Sequence, residues 1–157
     1  MSGSAVLLRL ATLARRIAEI GRGTGTTGGA RTKASVGRAG EREAAKRMRK
    51  LGYRVLRRNA RIARQEIDLV CLAPDDLTIV LVEVKTRHRA AGAPAASLAA
   101  APERAVDERK RLAMRAAATA LRTANGWERR PMRLDVVAIE LHDRGRAEFR
   151  HWPGPRI

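Results

Sequence analysis

Residues 67–86 read IDLVCLAPDDLTIVLVEVKT and predict a β-hairpin. Leucine and β-branched residues, which favour strands, dominate both halves of this segment. The Pro74-Asp75-Asp76 sequence between the halves has the composition of a turn. We therefore predict one strand over residues 67–73 and a second over residues 77–86.

Charged residues interrupt the apolar pattern of this hairpin. Alternate residues of a strand share a face, and a turn that pairs Ala73 with Thr78 places Asp68 directly across from Glu83. Opposed β-carbons lie about 4.5 to 5.5 Å apart, a span that one Mg²⁺ or Mn²⁺ can bridge with an oxygen from each carboxylate. Lys85 is on the same face as Glu83. The pattern indicates an acidic metal site with a lysine beside it.

These residue types suit the hydrolysis of a phosphodiester bond. Carboxylates hold a hard cation, the cation lowers the pKa of its water, and Lys85 would position or activate the nucleophile. The alternative is an ion pair of Lys85 with Asp68 or Glu83 that only stabilises the strands. An isolated Glu-x-Lys would favour that alternative, but the shared face and the register favour the metal site.

The segments around the hairpin predict helices and further strands. A helix is expected from Gly40 to Leu51, ended by Gly52, and its apolar face would consist of Ala44, Ala45, Met48 and Leu51. The other expected elements are a strand at 53–58, a loop or continuing edge strand at 59–65, a helix at 102–125, a strand at 133–141 and a short edge strand at 147–152. This order predicts the α/β class, with a mixed central β-sheet flanked by helices.

Other charged residues border the predicted site. Helical spacing puts Glu41 on the side that faces the sheet, where it could reach the metal or only favour the positive end of the helix dipole. Lys110 follows Val106 by one helical turn and could approach a phosphate or extend its stem over the sheet. Asp135 lies in an apolar strand, where we expect it to be the partner of a nearby arginine.

The first 35 residues are expected to form an extension to an α/β domain at 36–157. Residues 6–20 have the pattern of a basic amphipathic helix, and the glycine-rich residues 21–29 that of a flexible linker. A docking helix, an organellar transit peptide and a misplaced start codon are alternative interpretations. Peripheral membrane attachment is a further one, but no segment is apolar enough for stable membrane insertion.

The charge balance points to a polyanionic partner. A formal net charge of +17, from 33 Lys and Arg against 16 Asp and Glu, indicates nucleic acid, with DNA as the first candidate. Aromatic residues make up 3% of the chain, so base stacking should not dominate recognition. The arginines expected to bind phosphates around the hairpin are Arg58, Arg61, Arg64, Arg87 and Arg89.

Cysteine and histidine usage excludes some classes of site. Cys71 is the only cysteine, which rules out an intramolecular disulfide and a cysteine-based zinc cluster and suits a reducing cytoplasm. Its position in a hydrophobic strand predicts a core residue. His88, His142 and His151 lack the close spacing of a helical metal motif, and we expect them at the surface or facing nucleic acid rather than as ligands.

Short sequence pieces occur in a characteristic order: Gly37-Arg-Ala-Gly40-Glu41-Arg-Glu-Ala44, Leu51-Gly52-Tyr53, Arg58-Asn59, Glu66-Ile67-Asp68-Leu69, Val82-Glu83-Val84-Lys85-Thr86-Arg87, Val106 with Lys110, and Arg133-Leu134-Asp135-Val136-Val137. This set resembles the YraN-like family of small bacterial proteins. That family is placed in the PD-(D/E)XK nuclease superfamily and is similar in fold to archaeal Holliday junction resolvases. One position departs from the pattern, because Gln65 stands where the family usually has Gly.

The resemblance implies a restriction endonuclease-like core with Asp68, Glu83 and Lys85 at the catalytic positions. It also implies Glu41 as a helix-borne acid that holds the metal with Asp68 and Glu83, and Lys110 as a basic residue beside them. The expected function is that of a Mg²⁺-dependent endonuclease, a phosphodiesterase acting on branched or single-stranded DNA. The alternative is a non-catalytic nucleic-acid-binding protein that uses the same basic surface. The sequence leaves a homodimer open.

Overall fold

The computed structural model describes residues 32–62, 64–90, 108–143 and 145–157, which belong to one compact unit, Arg31–Ile157. In chain order its elements are α1 (Lys33–Lys50), β1 (Arg54–Ile62), β2 (Gln65–Leu72), β3 (Ile79–Arg89), α2 (Glu108–Asn125), β4 (Met132–His142) and β5 (Ala147–Trp152). The predicted α/β architecture, a mixed sheet with helices, is confirmed. The amphipathic helix and linker expected in residues 1–35 fall on residues 1–31, which lie outside the described part of the chain.

Helix α1 begins earlier than the sequence pattern predicted. Thr32 caps it, and its hydroxyl accepts a hydrogen bond of 3.1 Å from the backbone N–H of Ser35. The expected start at Gly40 is therefore wrong by about two helical turns. The predicted end is confirmed, because Gly52 adopts a φ of +87° and its N–H donates to the carbonyl of Arg49.

The apolar face of α1 packs on one side of the sheet. Ala44, Ala45 and Met48 are buried there against β2, β3 and β4. Leu51, expected on the same face, is 50% exposed because it lies past the last helical turn as the C-cap. Cys71 is fully buried in this layer, as predicted.

The strands follow their chain order across the sheet, β1-β2-β3-β4-β5. Every neighbouring pair is antiparallel except β3 and β4, which are parallel and therefore need a crossover connection, to which α2 belongs. The segment at 59–65, left open between loop and strand, is strand as far as Ile62. Helix α2 ends at Asn125, as predicted, and buries Met114, Ala117 and Leu121. Residues 102–107 of the expected helix lie outside the described residues.

The two helices contact opposite faces of the sheet. The α1 face includes Val80 and Val82 of β3. Glu83 points to the other side, since side chains alternate along a strand, and there it contacts Lys110 of α2. In the described ranges of the chain, no helix is long and apolar enough to cross a membrane.

Candidate metal centre

The predicted hairpin register is confirmed at its closed end. The N–H of Ala73 donates to the carbonyl of Thr78 over 2.9 Å. From there the ladder between β2 and β3 runs to the pair of Leu69 with Val82. The residues that follow this last pair are Asp68 and Glu83, so they oppose each other where the ladder stops.

Beyond this point the side chain of Asp68, rather than a backbone carbonyl, accepts the hydrogen bond that links β2 to β3. Its Oδ2 accepts a hydrogen bond of 2.6 Å from the backbone N–H of Val84 on β3. The carboxylate thus binds the neighbouring strand where regular backbone pairing has ended. One of its oxygens is fixed by the sheet, and the group is held beside Glu83.

Glu83 is buried, with 7% of its surface exposed, and lies between two lysines. Lys85 Nζ donates to its Oε1 over 3.1 Å, and Lys110 Nζ lies 3.1 Å from its Oε2. Lys110 is therefore close enough to Glu83 to form an ion pair, although Glu83 Oε2 accepts no hydrogen bond within the described residues. Helix α2 therefore brings Lys110 to the acidic pair, as the sequence allowed, and the lysine does more than cover apolar surface.

The electrostatic setting of Asp68 is unfavourable for its charged form. Burial, with a smaller contribution from the nearby carboxylates of Glu83 and Glu41, raises the pKa of Asp68 to about 6. The Val84 hydrogen bond and Lys110 oppose this rise without cancelling it. A cation placed among these carboxylates would favour the ionised form and bring the pKa of Asp68 down.

Glu41 lies close enough to Asp68 to raise the pKa of its carboxyl group. Its position in the helix also excludes the alternative that Glu41 only favours the positive end of the helix dipole. Helix α1 starts at Lys33, so Glu41 lies beyond the first turn, in which there is no acidic residue, and a dipole effect falls off within that turn. Close contact of Gly40 with β3 explains the placement, because a β-carbon at Gly40 would overlap the side chain of Thr86.

Asn59 is a member of this cluster that the sequence patterns did not single out. Because Arg58 pairs with Leu69 and Ala60 with Ile67, Asn59 lies across from Asp68 on β1. Its side-chain amide donates a hydrogen bond of 2.7 Å to Glu41 Oε2. Its φ of +49° is rare for a residue other than glycine and is best tolerated by Asn. The signal for it in the sequence is the Arg58-Asn59 piece of the family pattern.

The arginines expected to bind phosphate separate into two groups. Arg58, Arg61, Arg64 and Arg87 are exposed on β1, on the turn after it and on β3. Arg89 instead donates a hydrogen bond of 3.1 Å to Glu140 of β4, so its guanidinium is directed at the sheet.

The structure also accounts for Gln65. Arg64, rather than residue 65, has the left-handed backbone of the turn between β1 and β2, with a φ of +65°. Gln65 is already paired with Ile62 in the ladder. A glycine is therefore not required at position 65 in this chain.

Asp135 belongs to a separate polar network on the α1 face, where its β4 register places it beside Val82. The expected arginine partner is confirmed: Arg133 donates hydrogen bonds of 2.7 and 2.9 Å to the two carboxylate oxygens. His151 Nε2 lies 2.7 Å from Oδ2, and its side chain is only 10% exposed. The expectation that His151 is a surface or nucleic-acid-facing residue is wrong, because β5 turns it inward to this carboxylate.

Comparison with known proteins identifies close relatives. The model of "Uncharacterised protein family UPF0102" matches residues 40–139, which contain all the acidic and lysine residues of the candidate site. A UPF0102 protein of Symbiobacterium thermophilum is 41% identical over 116 residues, covering 73% of this chain and 90% of the relative. One of Pelobacter propionicus is 35% identical over 117 residues, covering 74% and 79%. One of Kineococcus radiotolerans is 38% identical over 124 residues, covering 79% and 95%.

Proposed function

The chain belongs to the UPF0102 (YraN) family, a PD-(D/E)XK nuclease-like group, and from that premise we propose that it is a divalent-metal-dependent nuclease that hydrolyses phosphodiester bonds in DNA. One observation carries the proposal: Asp68 and Glu83 converge where the β2–β3 ladder ends, in a setting that raises the pKa of Asp68 to about 6. A fold that only required stability would gain nothing from opposed carboxylates at this place. A cation bound there would remove the repulsion.

The donor set fits Mg²⁺ or Mn²⁺. The ligands would be carboxylate oxygens of Asp68 and Glu83, with Glu41 as a third acid, and hard divalent cations prefer oxygen ligands. Glu83 Oε2 is buried and accepts no hydrogen bond in the described part of the chain, although the Lys110 ammonium group lies 3.1 Å away and would share this oxygen with the ion. When bound, the ion would lower the pKa of a water molecule and neutralise charge that develops on the scissile phosphate.

The lysines have distinct positions for the reaction. Lys85, whose side chain is 46% exposed, reaches solvent while its ammonium group is held at Glu83 Oε1. From there it would orient the attacking water and stabilise it as it loses its proton. Lys110 approaches from the helix side, with 31% of its side chain exposed, and would bind a nonbridging oxygen of the phosphate.

The basic surface supports a nucleic-acid substrate. Exposed arginines on β1 and β3 flank the acidic site, and the chain carries a formal net charge of +17. Such contacts bind the phosphate backbone and carry little sequence information. We propose DNA without strong sequence preference as the substrate, with branched or single-stranded forms first among those to test.

A second candidate function is non-catalytic binding of nucleic acid through the same surface. The observation that favours it is the pair of ammonium groups at Glu83, which lie 3.1 Å from its two carboxylate oxygens. With both oxygens contacted, the trio could act as an ion-pair network that needs no metal. Asp68 then has no evident role beyond its hydrogen bond to Val84.

The decisive experiment is cleavage of labelled single-stranded, duplex, flap and four-way DNAs in Mg²⁺, Mn²⁺ or EDTA. We expect metal-dependent cleavage, abolished by EDTA and reduced at least about 10³-fold in Asp68→Asn, because one anionic ligand of the ion is lost. DNA binding should persist in that variant, since its phosphate contacts remain. Asp76→Asn is the matched control, because it makes the same substitution at the far end of the hairpin, on an exposed side chain.

The opposite result has a defined meaning. If wild type and Asp68→Asn bind DNA equally tightly and neither cleaves any substrate with either metal, the nuclease proposal is wrong. The second candidate function then remains.

A further inference from the structure

A second group of metal-ligating residues lies at the hairpin that joins β4 and β5. Glu140 and Glu148 are direct cross-strand partners, and His142 follows Glu140 by two residues on the same face of β4. One ligand atom from each residue can be chosen so that all three lie within 4.8 Å of one another. The sequence patterns did not identify this group, because its members belong to no familiar spacing.

The histidine of this group has an unsatisfied nitrogen. His142 Nε2 is buried and has no hydrogen-bond partner within the described residues. It lies 3.4 Å from Glu148 Oε1 and 3.7 Å from Glu140 Oε1. Buried polar atoms are normally hydrogen-bonded, and leaving one without a partner is unfavourable. An imidazole nitrogen held between two carboxylate oxygens in this way has the arrangement of a ligand set.

The distances fit a transition metal. Ligands about 2.0 to 2.1 Å from a tetrahedral Zn²⁺ are separated from one another by about 3.3 to 3.4 Å. The distance from His142 Nε2 to Glu148 Oε1 has this value, and the distance to Glu140 Oε1 is only slightly longer. A small shift of the Glu140 carboxylate would complete the geometry.

We propose that Glu140, His142 and Glu148 form a binding site for a divalent transition metal of the Zn²⁺ type, distinct from the Asp68–Glu83 centre. The imidazole ligand favours Zn²⁺ and related ions, whereas Mg²⁺ and Ca²⁺ take oxygen ligands. With three protein ligands, the site leaves a position for water or a further group.

The surroundings of the site hold its ligands in place. Arg89 Nη1 donates to Glu140 Oε1 over 3.1 Å, and the Glu140 side chain is only 5% exposed. The hairpin is closed by a hydrogen bond of 2.9 Å from the N–H of His142 to the carbonyl of Arg146. Partners of this kind fix the orientation of metal ligands.

The negative charge of Glu148 is less well neutralised by arginine than that of Glu140. Its cationic neighbour Arg146 lies 3.9 Å away and is 78% exposed, so the pair contributes little. Glu148 and Glu140 oppose each other across the strands, an arrangement that is unfavourable for like charges. A dication between them would remove this repulsion.

The site is too far from the proposed nuclease centre to form a two-metal pair with it. Glu83 is paired with Val136 on β4, and Glu140 lies four residues farther along that strand. At about 3.3 Å per residue this is a separation of about 13 Å, whereas two-metal centres have ions about 3.5 to 4 Å apart. The inference therefore does not depend on the nuclease proposal.

Zinc titration of the metal-stripped full chain tests the proposal. Isothermal calorimetry would be done in millimolar Mg²⁺, with a parallel thermal melt. We expect wild type and Asp68→Asn to bind one equivalent of Zn²⁺ and to gain thermal stability from it. His142→Gln and Glu148→Gln should bind Zn²⁺ at least about tenfold more weakly. Glu148 is 39% exposed, so its variant should fold even if His142→Gln does not.

A control and a spectroscopic readout complete the test. His88→Gln changes a histidine that pairs with Asp143 outside the site, and its Zn²⁺ affinity should equal that of wild type. Co²⁺ substituted at the site should give visible absorption that the His142→Gln variant lacks. Zinc affinity that is undetectable in wild type, or unchanged in both His142→Gln and Glu148→Gln, would overturn the proposal.

Discussion

Asp68, which is half-buried, and Asp135, which is buried, are two aspartates of one sheet whose carboxylates have opposite surroundings. Asp135, with no exposed surface, is contacted by Arg133 through two hydrogen bonds, by His151 and by the N–H of Gly154. Asp68 has one hydrogen bond in the described part of the chain, from a backbone N–H, and faces other acids. The first site is fully satisfied by the protein, whereas the second is not.

The pKa values of the two groups show the difference. Burial raises the pKa of Asp135, but hydrogen bonds from His151, Arg133 and Gly154 outweigh it and leave the value below normal. Burial raises the pKa of Asp68 to about 6, and its own hydrogen bond does not compensate. Burial alone therefore does not decide the direction in which the pKa of a carboxyl group shifts; the number of hydrogen-bonding and cationic partners does.

The same substitution at the two positions should have opposite effects on stability. Asp135→Asn removes one half of a buried ion pair and leaves the Arg133 guanidinium without its counter-charge, so we expect the free energy of unfolding to fall by about 3 kcal/mol. Asp68→Asn removes an unfavourable charge while the amide oxygen can still accept from Val84, so stability at pH 7 should be unchanged or higher. Urea denaturation of both metal-free variants measures this. Equal losses would contradict the distinction between the sites.

The pH dependence of stability sharpens the comparison. The pKa of Asp68 in the folded chain, about 6, lies above its ordinary value of 3.8, so below pH 3.8 the carboxyl is protonated in both the folded and the unfolded chain and does not lower stability. As pH rises from 3.8 to 6 the unfolded chain ionises first, and wild type should lose stability relative to Asp68→Asn. Above pH 6 the loss stays constant. Asp135 has the opposite slope, because its pKa is lowered and its stabilisation disappears as pH falls through that value.

The expected size of the Asp68 effect is modest. One pKa unit corresponds to about 1.4 kcal/mol, and since Asp68 is partly exposed we expect a total of about 1 to 2 kcal/mol. Denaturation curves of wild type and Asp68→Asn in EDTA between pH 4 and 7 would measure it. Saturating Mg²⁺ should abolish the difference. A stability difference between the two proteins that is independent of pH would show that the charge on Asp68 does not lower the stability of the folded chain.

The smallest effect is expected at Asn59, which holds Glu41 toward the acidic site. Asn59→Gly keeps the left-handed backbone accessible and removes only the amide that contacts Glu41. Metal affinity, measured by Mn²⁺ titration, should fall by about tenfold, because partners of metal ligands contribute at that level. Cleavage at saturating metal should change much less. Unchanged Mn²⁺ affinity would mean that Glu41 does not depend on Asn59.

The sequence predicted the hairpin well because its determinants are local. Turn residues at 74–76 fix the pairing of Ala73 with Thr78, and a side-chain period of two then carries Asp68 to Glu83. The start of α1 was predicted less well. Thr32 is an N-cap signal, but the apolar periodicity begins only near Gly40, so the first turns of the helix have no core-facing pattern to reveal them.

By itself, the sequence determined the hairpin register and the acidic pair with its lysine, since each follows from alternation and turn chemistry within about 20 residues. Only the tertiary structure decided which further groups join the pair. Asn59 reaches Glu41 from another element, and Lys110 reaches Glu83 from α2. It also decided that Asp135 accepts from Arg133 and contacts His151, while the Nε2 atom of His142 has no hydrogen-bond partner among the described residues. These contacts depend on how helices and distant strands pack, which local periodicity does not encode.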